Sequence, residues 1–255
     1  MRFIFSISLI LGLFAATSVN TAAAADIHSF DVIGIKLGMT PDETKQALTE
    51  HNPEFDVQEY YYTYSYSDGT TTYNTDDVLG RMAVRHIRPS GPTPGNETII
   101  IEFSGKAGSE VVTALSRVRS GDLNPPSIKD FAALLVEKYG PFNQRNAHFL
   151  EWHGDTGSRT CFDLGGLSET SAPLMERAVH TITDFSVCRD TMRYGLATTG
   201  SVDSLEKTTP TLGFDVSMVS AKLLIEKYDE LNEWVNNLEV DATKKRESTV
   251  VKPKL

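Results

Sequence analysis

The stretch GIKLGMTPDETKQALTEHNP, residues 34–53, sets the architecture. It reads as a loop feeding a short, tightly capped helix. Gly38 gives the chain a flexible approach. Thr40 is a residue type that caps a helix N-terminus, and Pro41 suits the first helical position, where a missing N–H costs nothing. Glu43 follows Thr40 by three residues, so each side chain can reach the other's backbone N–H in a capping box. Met39 precedes the cap and can pack over Thr44 or Ala47. The run stops near Asn52-Pro53, because proline disfavours helical geometry in the residue before it. Each residue of the motif has a task in starting or ending a helix. None is an acid, base or nucleophile set in a pocket. A capped helix followed at once by strand-like sequence predicts an α+β fold, with short capped helices packed on antiparallel β-sheet.

Working outward, residues 57–77 read VQEYYYTYSYSDGTTTYNTDD. Tyr60, Tyr62, Tyr64 and Tyr66 share one face of an extended strand, since side chains alternate with a period of two. Ser67-Asp68-Gly69 supplies a turn, and residues 70–73 return as the second arm of a hairpin. Two readings stay open for the tyrosine face: cross-strand packing on a half-buried sheet, or a recognition surface that combines apolar area with a hydroxyl. These four tyrosines are the candidate binding residues. Strands are expected at 79–88 and 97–104, with PSGPTPG (89–95) as the loop between them. Asn96-Glu97-Thr98 fits an N-glycosylation acceptor, relevant only in a eukaryotic host. Residues 111–119 fit a strand by β-branched content and a helix by the spacing of 111, 112, 115 and 118.

Pro125-Pro126 breaks the chain. Ser127 then caps a second helix with Asp130 three residues on; Phe131, Leu134, Leu135 and Tyr139 line one face, and Gly140-Pro141 ends it. Strands are expected at 147–153, 159–164, 180–188 and 191–198. Asp215 is positioned to cap a long amphipathic helix over 216–242. Leu224, Tyr228, Leu231, Val235 and Leu238 alternate spacings of four and three, a narrow packing seam. That seam either packs back on the sheet or carries a dimer or partner contact. The chain thus divides into a leader (1–25), a helix with β-meander (26–124), a second helix with strands and a disulfide (125–210), and a C-terminal helix with a basic tail (211–255).

Arg2, an apolar run over 3–16 and an A-x-A site at 22–25 read as a secretory signal peptide cleaved after about Ala25. The apolar run is too short to span a bilayer, and no later stretch is long and apolar enough to do so. The expected location is the periplasm or the exterior. Cys161 and Cys188, the only cysteines, are an even pair in an oxidising compartment and are expected to form a disulfide. Closing a loop of about 27 residues stabilises by roughly 3 kcal/mol in the chain-entropy model. A net charge of −10 argues against a phosphate-backbone binder, so no nucleic-acid partner is expected. The tail DATKKRESTVVKPKL reverses that charge and reads as a solvated end or a contact for anionic lipid or an acidic partner.

No P-loop, dinucleotide-binding glycine fingerprint or G-x-S-x-G elbow is present. The densest polar cluster is HFLEWHGD (148–155). On a strand, His148 and His153 point to opposite faces, so they do not make a metal site; Trp152 reads as a core anchor with His153 at its edge. No catalytic residue, cofactor or metal is assigned. A hydrolase built from scattered Asp, Glu or His side chains is the alternative, because such sites assemble only in space.

The segment IKLGMTPDETKQAL resembles the GMT-x-x-x-(V/T)-x-x-L signature of small exported bacterial proteins, a group that includes the outer-membrane assembly lipoprotein BamE and the β-lactamase inhibitor proteins. Gly38, Met39, Thr40, Thr44 and Leu48 carry it here. IIIEFS, PPSIKDFAALLVEKYGPF and LEWHGD look like exported proteobacterial proteins in which a K-Y-G-P turn (Lys138 to Pro141) precedes a Trp-containing strand (Trp152). The resemblance implies helices on an antiparallel sheet and a non-catalytic role in binding a protein or an envelope component. No catalytic residues transfer with it. The chain departs from the lipoproteins in having no lipobox cysteine, and its second helix lacks the GMT motif.

Overall fold

The capping box forms as the residues dictate. The Thr40 hydroxyl accepts from the Glu43 N–H (3.4 Å), and the Glu43 carboxylate accepts from the Thr40 N–H (2.8 Å). Helix α1 (Pro41–His51) follows, ending where the Asn52 N–H bonds Leu48 O. Gly38 sits at φ +87°, a left-handed conformation open to glycine at little cost. The Gly38 N–H and the Met39 carbonyl then bond Val112 O and N, both at 2.8 Å. The loop before α1 is therefore stitched to the sheet, and the helix enters at a fixed angle.

The computed structural model describes residues 25–87, 96–121, 125–146, 149–155, 157–162, 184–197 and 206–249, together with 167, 172–174, 176 and 182. Residues 1–24 of the expected leader, the 89–95 loop, His148 and the last six residues lie outside them. After α1 come β1 (Val57–Tyr62), β2 (Ser65–Ser67), β3 (Thr72–Asn74), β4 (Val78–Ile87), β5 (Asn96–Ser104), β6 (Val111–Ser120), α2 (Ile128–Tyr139), β7 (Gln144–Arg145), β8 (Phe149–His153), β9 (Thr191–Ala197), β10 (Gly213–Val219) and α3 (Ala221–Thr249). The fold is α+β. Eight strands form one antiparallel sheet in the order β1-β4-β5-β6-β10-β9-β8-β7, and β2 and β3 form a separate two-stranded ribbon.

The two faces of the large sheet differ. On one, alternate residues such as Met82, Val84, Ile99, Ile101, Leu115, Val216 and Met218 meet α1 and α2 in the main core. Trp152 is fully buried there, and its indole N–H donates to Gly140 O at 3.0 Å. Tyr139 and Tyr194 bring their hydroxyls within 3.3 Å of each other; burial pushes the Tyr194 phenol far above its ordinary value. The opposite face carries the start of α3 and the disulfide-bonded segment, around a smaller core that includes Phe162, Leu174, Cys188, Val219 and Leu224. Cys161 and Cys188 are bonded, with Cα atoms 5.3 Å apart.

Several expectations need correction. Residues 213–219 form β10 rather than the start of a helix, so Asp215 is a strand residue. Phe214, Val216 and Met218 alternate toward α2 and the main core. Burying two such side chains, at roughly 1.5–3 kcal/mol each, outweighs the ~1 kcal/mol of an Asp cap. The cap of α3 is Ser220, whose hydroxyl accepts from the Leu223 N–H at 3.1 Å. Residues 159–162 form no strand, only a bridge from Arg159 to Cys188, and 185–187 are a short 3-10 turn. Leu134 is 57% exposed; the buried stripe of α2 is Ile128, Ala132, Leu135 and Tyr139, spacings of four and three that rotate Leu134 outward. The tyrosine strand is not continuous. It breaks at Thr63-Tyr64, so that β1 joins the large sheet while β2 and β3 make the hairpin. Residues 111–119 are strand.

Candidate functional site

Register places the tyrosines. Tyr60 lies opposite Arg81 and Tyr62 opposite Val78, so both project from the face that carries α3. Tyr61 lies opposite Leu79, which leaves Gly80 as the extra residue of a bulge in β4. The Tyr62 ring rests on Gly80, and any side chain there would run into it. Tyr64 follows the strand break and is anchored by Thr75: its N–H donates to the Thr75 hydroxyl (3.0 Å) and its carbonyl accepts from the Thr75 N–H (2.9 Å).

Tyr62 and Tyr64 thereby line one cleft, of about 260 Å³, between β1, the ends of β4 and β5, and the first turns of α3. Tyr228 of α3 closes it from the other side, with Leu231 beside it. Leu174 and Glu176 form its outer wall. Burial raises the phenols of both Tyr62 and Tyr64 above their ordinary value, so neither ionises near neutral pH. The floor holds Glu102, which is 3% exposed and accepts from the Arg81 guanidinium at 2.9 Å, Arg81 itself being 1% exposed. Lys227 is tied to Glu230 at 2.7 Å. Glu176 is exposed and has no cation partner among the described residues.

The other two candidate tyrosines do not line this cleft. Tyr60 bonds Gln58 at 3.1 Å. Tyr66 stacks on Tyr73 of the hairpin, with ring centres 5.5 Å apart, and faces the far end of α3 around Leu238 and Ala242. The hairpin turn is held by Asp68, whose carboxylate accepts from the N–H groups of Thr70 and Thr71 and from the Thr70 and Tyr73 hydroxyls. Those bonds hold its pKa far below the usual carboxylate range.

Two polar clusters invite a catalytic reading. Ser220, His28 and Asp190 come together, but Ser220 Oγ (3.3 Å) and Asp190 Oδ2 (2.9 Å) both approach the same ring nitrogen, Nε2 of His28. A proton relay needs the serine and the carboxylate on opposite ring nitrogens. Asp190 Oδ1 also accepts from the Ser220 hydroxyl and the Lys222 N–H, both at 3.2 Å. The cluster thus caps the N-terminus of α3, where a carboxylate suits the helix dipole. In the second, the buried Glu151 carboxylate accepts from Arg193 Nε (2.9 Å), Thr160 Oγ1 (3.1 Å) and His153 Nε2 (2.6 Å), and Arg189 donates to His153 Nδ1 (2.8 Å). Arg193, Thr160 and His153 satisfy the Glu151 carboxylate, while Arg189 Nε is buried without a hydrogen-bond partner among the described residues. Burial opposes ionisation of Glu151, yet the bonds from Arg193 and His153 win and lower its pKa.

Tyr228 is the lining residue that sequence reasoning saw only as part of a packing seam; it is the one aromatic residue in that otherwise aliphatic run. Glu102 was legible only as a charge interrupting IIIEFS, with Arg81 interrupting VLGRMAV. Nothing local marks Glu176. The chain matches no protein-family model, no curated protein and no solved structure.

Proposed function

We propose that this protein is an exported, non-catalytic binding module of the cell envelope that receives a group of a protein or envelope partner in the Tyr62–Tyr64–Tyr228 cleft. The observation that carries this reading is the cleft itself, where the neighbouring phenols of Tyr62 and Tyr64 meet that of Tyr228 from α3 over an apolar wall. Pockets of this make-up, mostly apolar with a few placed polar groups, are what ligand sites look like. Export is supported by the A-x-A leader in the sequence and by the disulfide. No helix among the described residues is long and apolar enough to cross a membrane. The GMT-type helix start resembles exported proteins whose work is binding.

The test uses residues 26–255 as bait in an envelope extract. The expected result is capture of a partner that is lost when Tyr62→Ala and Tyr64→Ala are combined. Unchanged capture by that variant, or no partner at all, contradicts the assignment.

A further inference from the structure

Resting on that reading, we infer that the group the cleft receives is an organic cation of the quaternary-ammonium kind, such as a trimethylammonium head. Tyr62, Tyr64 and Tyr228 come from β1, the β1–β2 link and α3. Unlike Tyr66 and Tyr73, which stack, no two of these three rings pack on one another among the described residues. All three line the void. Tyrosine rings arranged this way attract a cation through their quadrupoles, and more strongly when water is excluded.

Charge points the same way. Glu102 is matched by Arg81 and Lys227 by Glu230. That leaves Glu176, at the rim, as the lining charge without a partner of opposite sign among the described residues. An anionic ligand would meet a carboxylate and find no available cation among the described residues. The chain's net charge of −10 adds a field that favours cations. Geometry then separates classes of cation. A primary ammonium carries three N–H donors, each needing an acceptor. The aliphatic wall of Val78, Leu174 and Leu231 offers none, so an N–H turned toward it would lose its bond to water; the acceptors of the lining are Ser104, Glu176, Asn232 and the phenol oxygens. A quaternary ammonium has no N–H, and its methyl groups can lie against both the aliphatic wall and the rings. The cleft is also below the roughly 300–1,000 Å³ of drug-sized sites, which suits a small head group.

Calorimetric titration of the disulfide-intact protein tests this with choline, tetramethylammonium and 3,3-dimethylbutan-1-ol, the neutral carbon isostere of choline. Choline should bind at least about tenfold more tightly than the isostere. Glu176→Gln should weaken choline several-fold without moving the isostere or the melting temperature. Tyr64→Phe should keep the preference for choline, and Tyr64→Leu should lose it. Sedimentation with phosphatidylcholine and phosphatidylglycerol vesicles distinguishes a lipid head group from a free solute: binding to the first alone identifies the former, and choline binding with no vesicle binding identifies the latter. Equal affinity for choline and its isostere overturns the cation assignment while leaving an apolar binding cleft in place. Failure of both choline and tetramethylammonium to bind also overturns it, and the bait experiment then judges the broader reading by itself.

Discussion

At the scale of single residues, the fold depends on a few polar groups placed where hydrogen-bond demand is high. Thr40 satisfies a donor at the head of α1, so Thr40→Ala should destabilise by about 1 kcal/mol in urea denaturation. An unchanged midpoint would mean the box contributes nothing. Arg81 and Glu102 form a buried pair under the cleft. Removing one member of such a pair typically costs about 3–5 kcal/mol, so Arg81→Met should be far worse than any exposed substitution on the hairpin. His28 predicts a pH dependence. The hydrogen bond that His28 donates to the Asp190 carboxylate raises its pKa above 6.5; burial and Lys222 oppose this, and the charges of Asp190 and Asp26 support it. A raised pKa contributes stability fully below 6.5 that is lost as pH rises through the folded value. Burial pushes Asp190 up, but its bonds to His28, Lys222 N–H and Ser220 win, and its pKa falls below 3.8. That contribution is present above 3.8 and lost as pH falls. Melting temperature should decline on raising pH above about 6.5, and His28→Gln should flatten that limb. These contacts were partly legible: Thr40 and Glu43 declare themselves by spacing, whereas Asp190 and His28 lie 162 residues apart and meet only through the sheet.

At the scale of elements, the cleft depends on three that approach from different parts of the chain. The bulge in β4 lets the Tyr62 ring lie on Gly80. Gly80→Ala should displace that ring and cost about 1–3 kcal/mol, the usual range for overpacking; retained ligand affinity in this variant would dissociate Tyr62 from the site. The disulfide ties the segment bearing Leu174 and Glu176 to a core that includes Leu224 of α3. Replacing both cysteines by serine should cost roughly 3 kcal/mol and weaken ligand binding more than Thr40→Ala does, since α1 lies on the other face. Helix α2 and the tyrosine hairpin were legible because caps, turns and periodicity are local. The start of α3 was not. Asp215 looks like a cap in isolation, and only the pairing of β10 between β6 and β9 turns it into a strand residue. The disulfide pairing was legible by arithmetic, as two cysteines allow one bridge.

At the scale of the whole molecule, β6 and β10 join the N-terminal meander to the C-terminal strands in one sheet. One face of that sheet is closed by α1 and α2. Among the described residues the other carries α3 and the disulfide segment, and the tyrosine cleft opens between α3, β1 and that segment. The seam residues of α3 turn inward: Leu224 and Leu231 are buried, and Leu238 lies toward the hairpin. That Tyr62 and Tyr64 share a face was legible from their spacing; that Tyr228 of α3 would meet them was not, because its distance along the chain carries no signal of it. The most direct measurement is fluorine NMR of protein carrying 3-fluorotyrosine, titrated with envelope extract. The account predicts shifts confined to Tyr62, Tyr64 and Tyr228, with Tyr139 and Tyr194 of the opposite core unmoved. Shifts that appear instead at Tyr66 and Tyr73, or no change at the three cleft tyrosines, would contradict it.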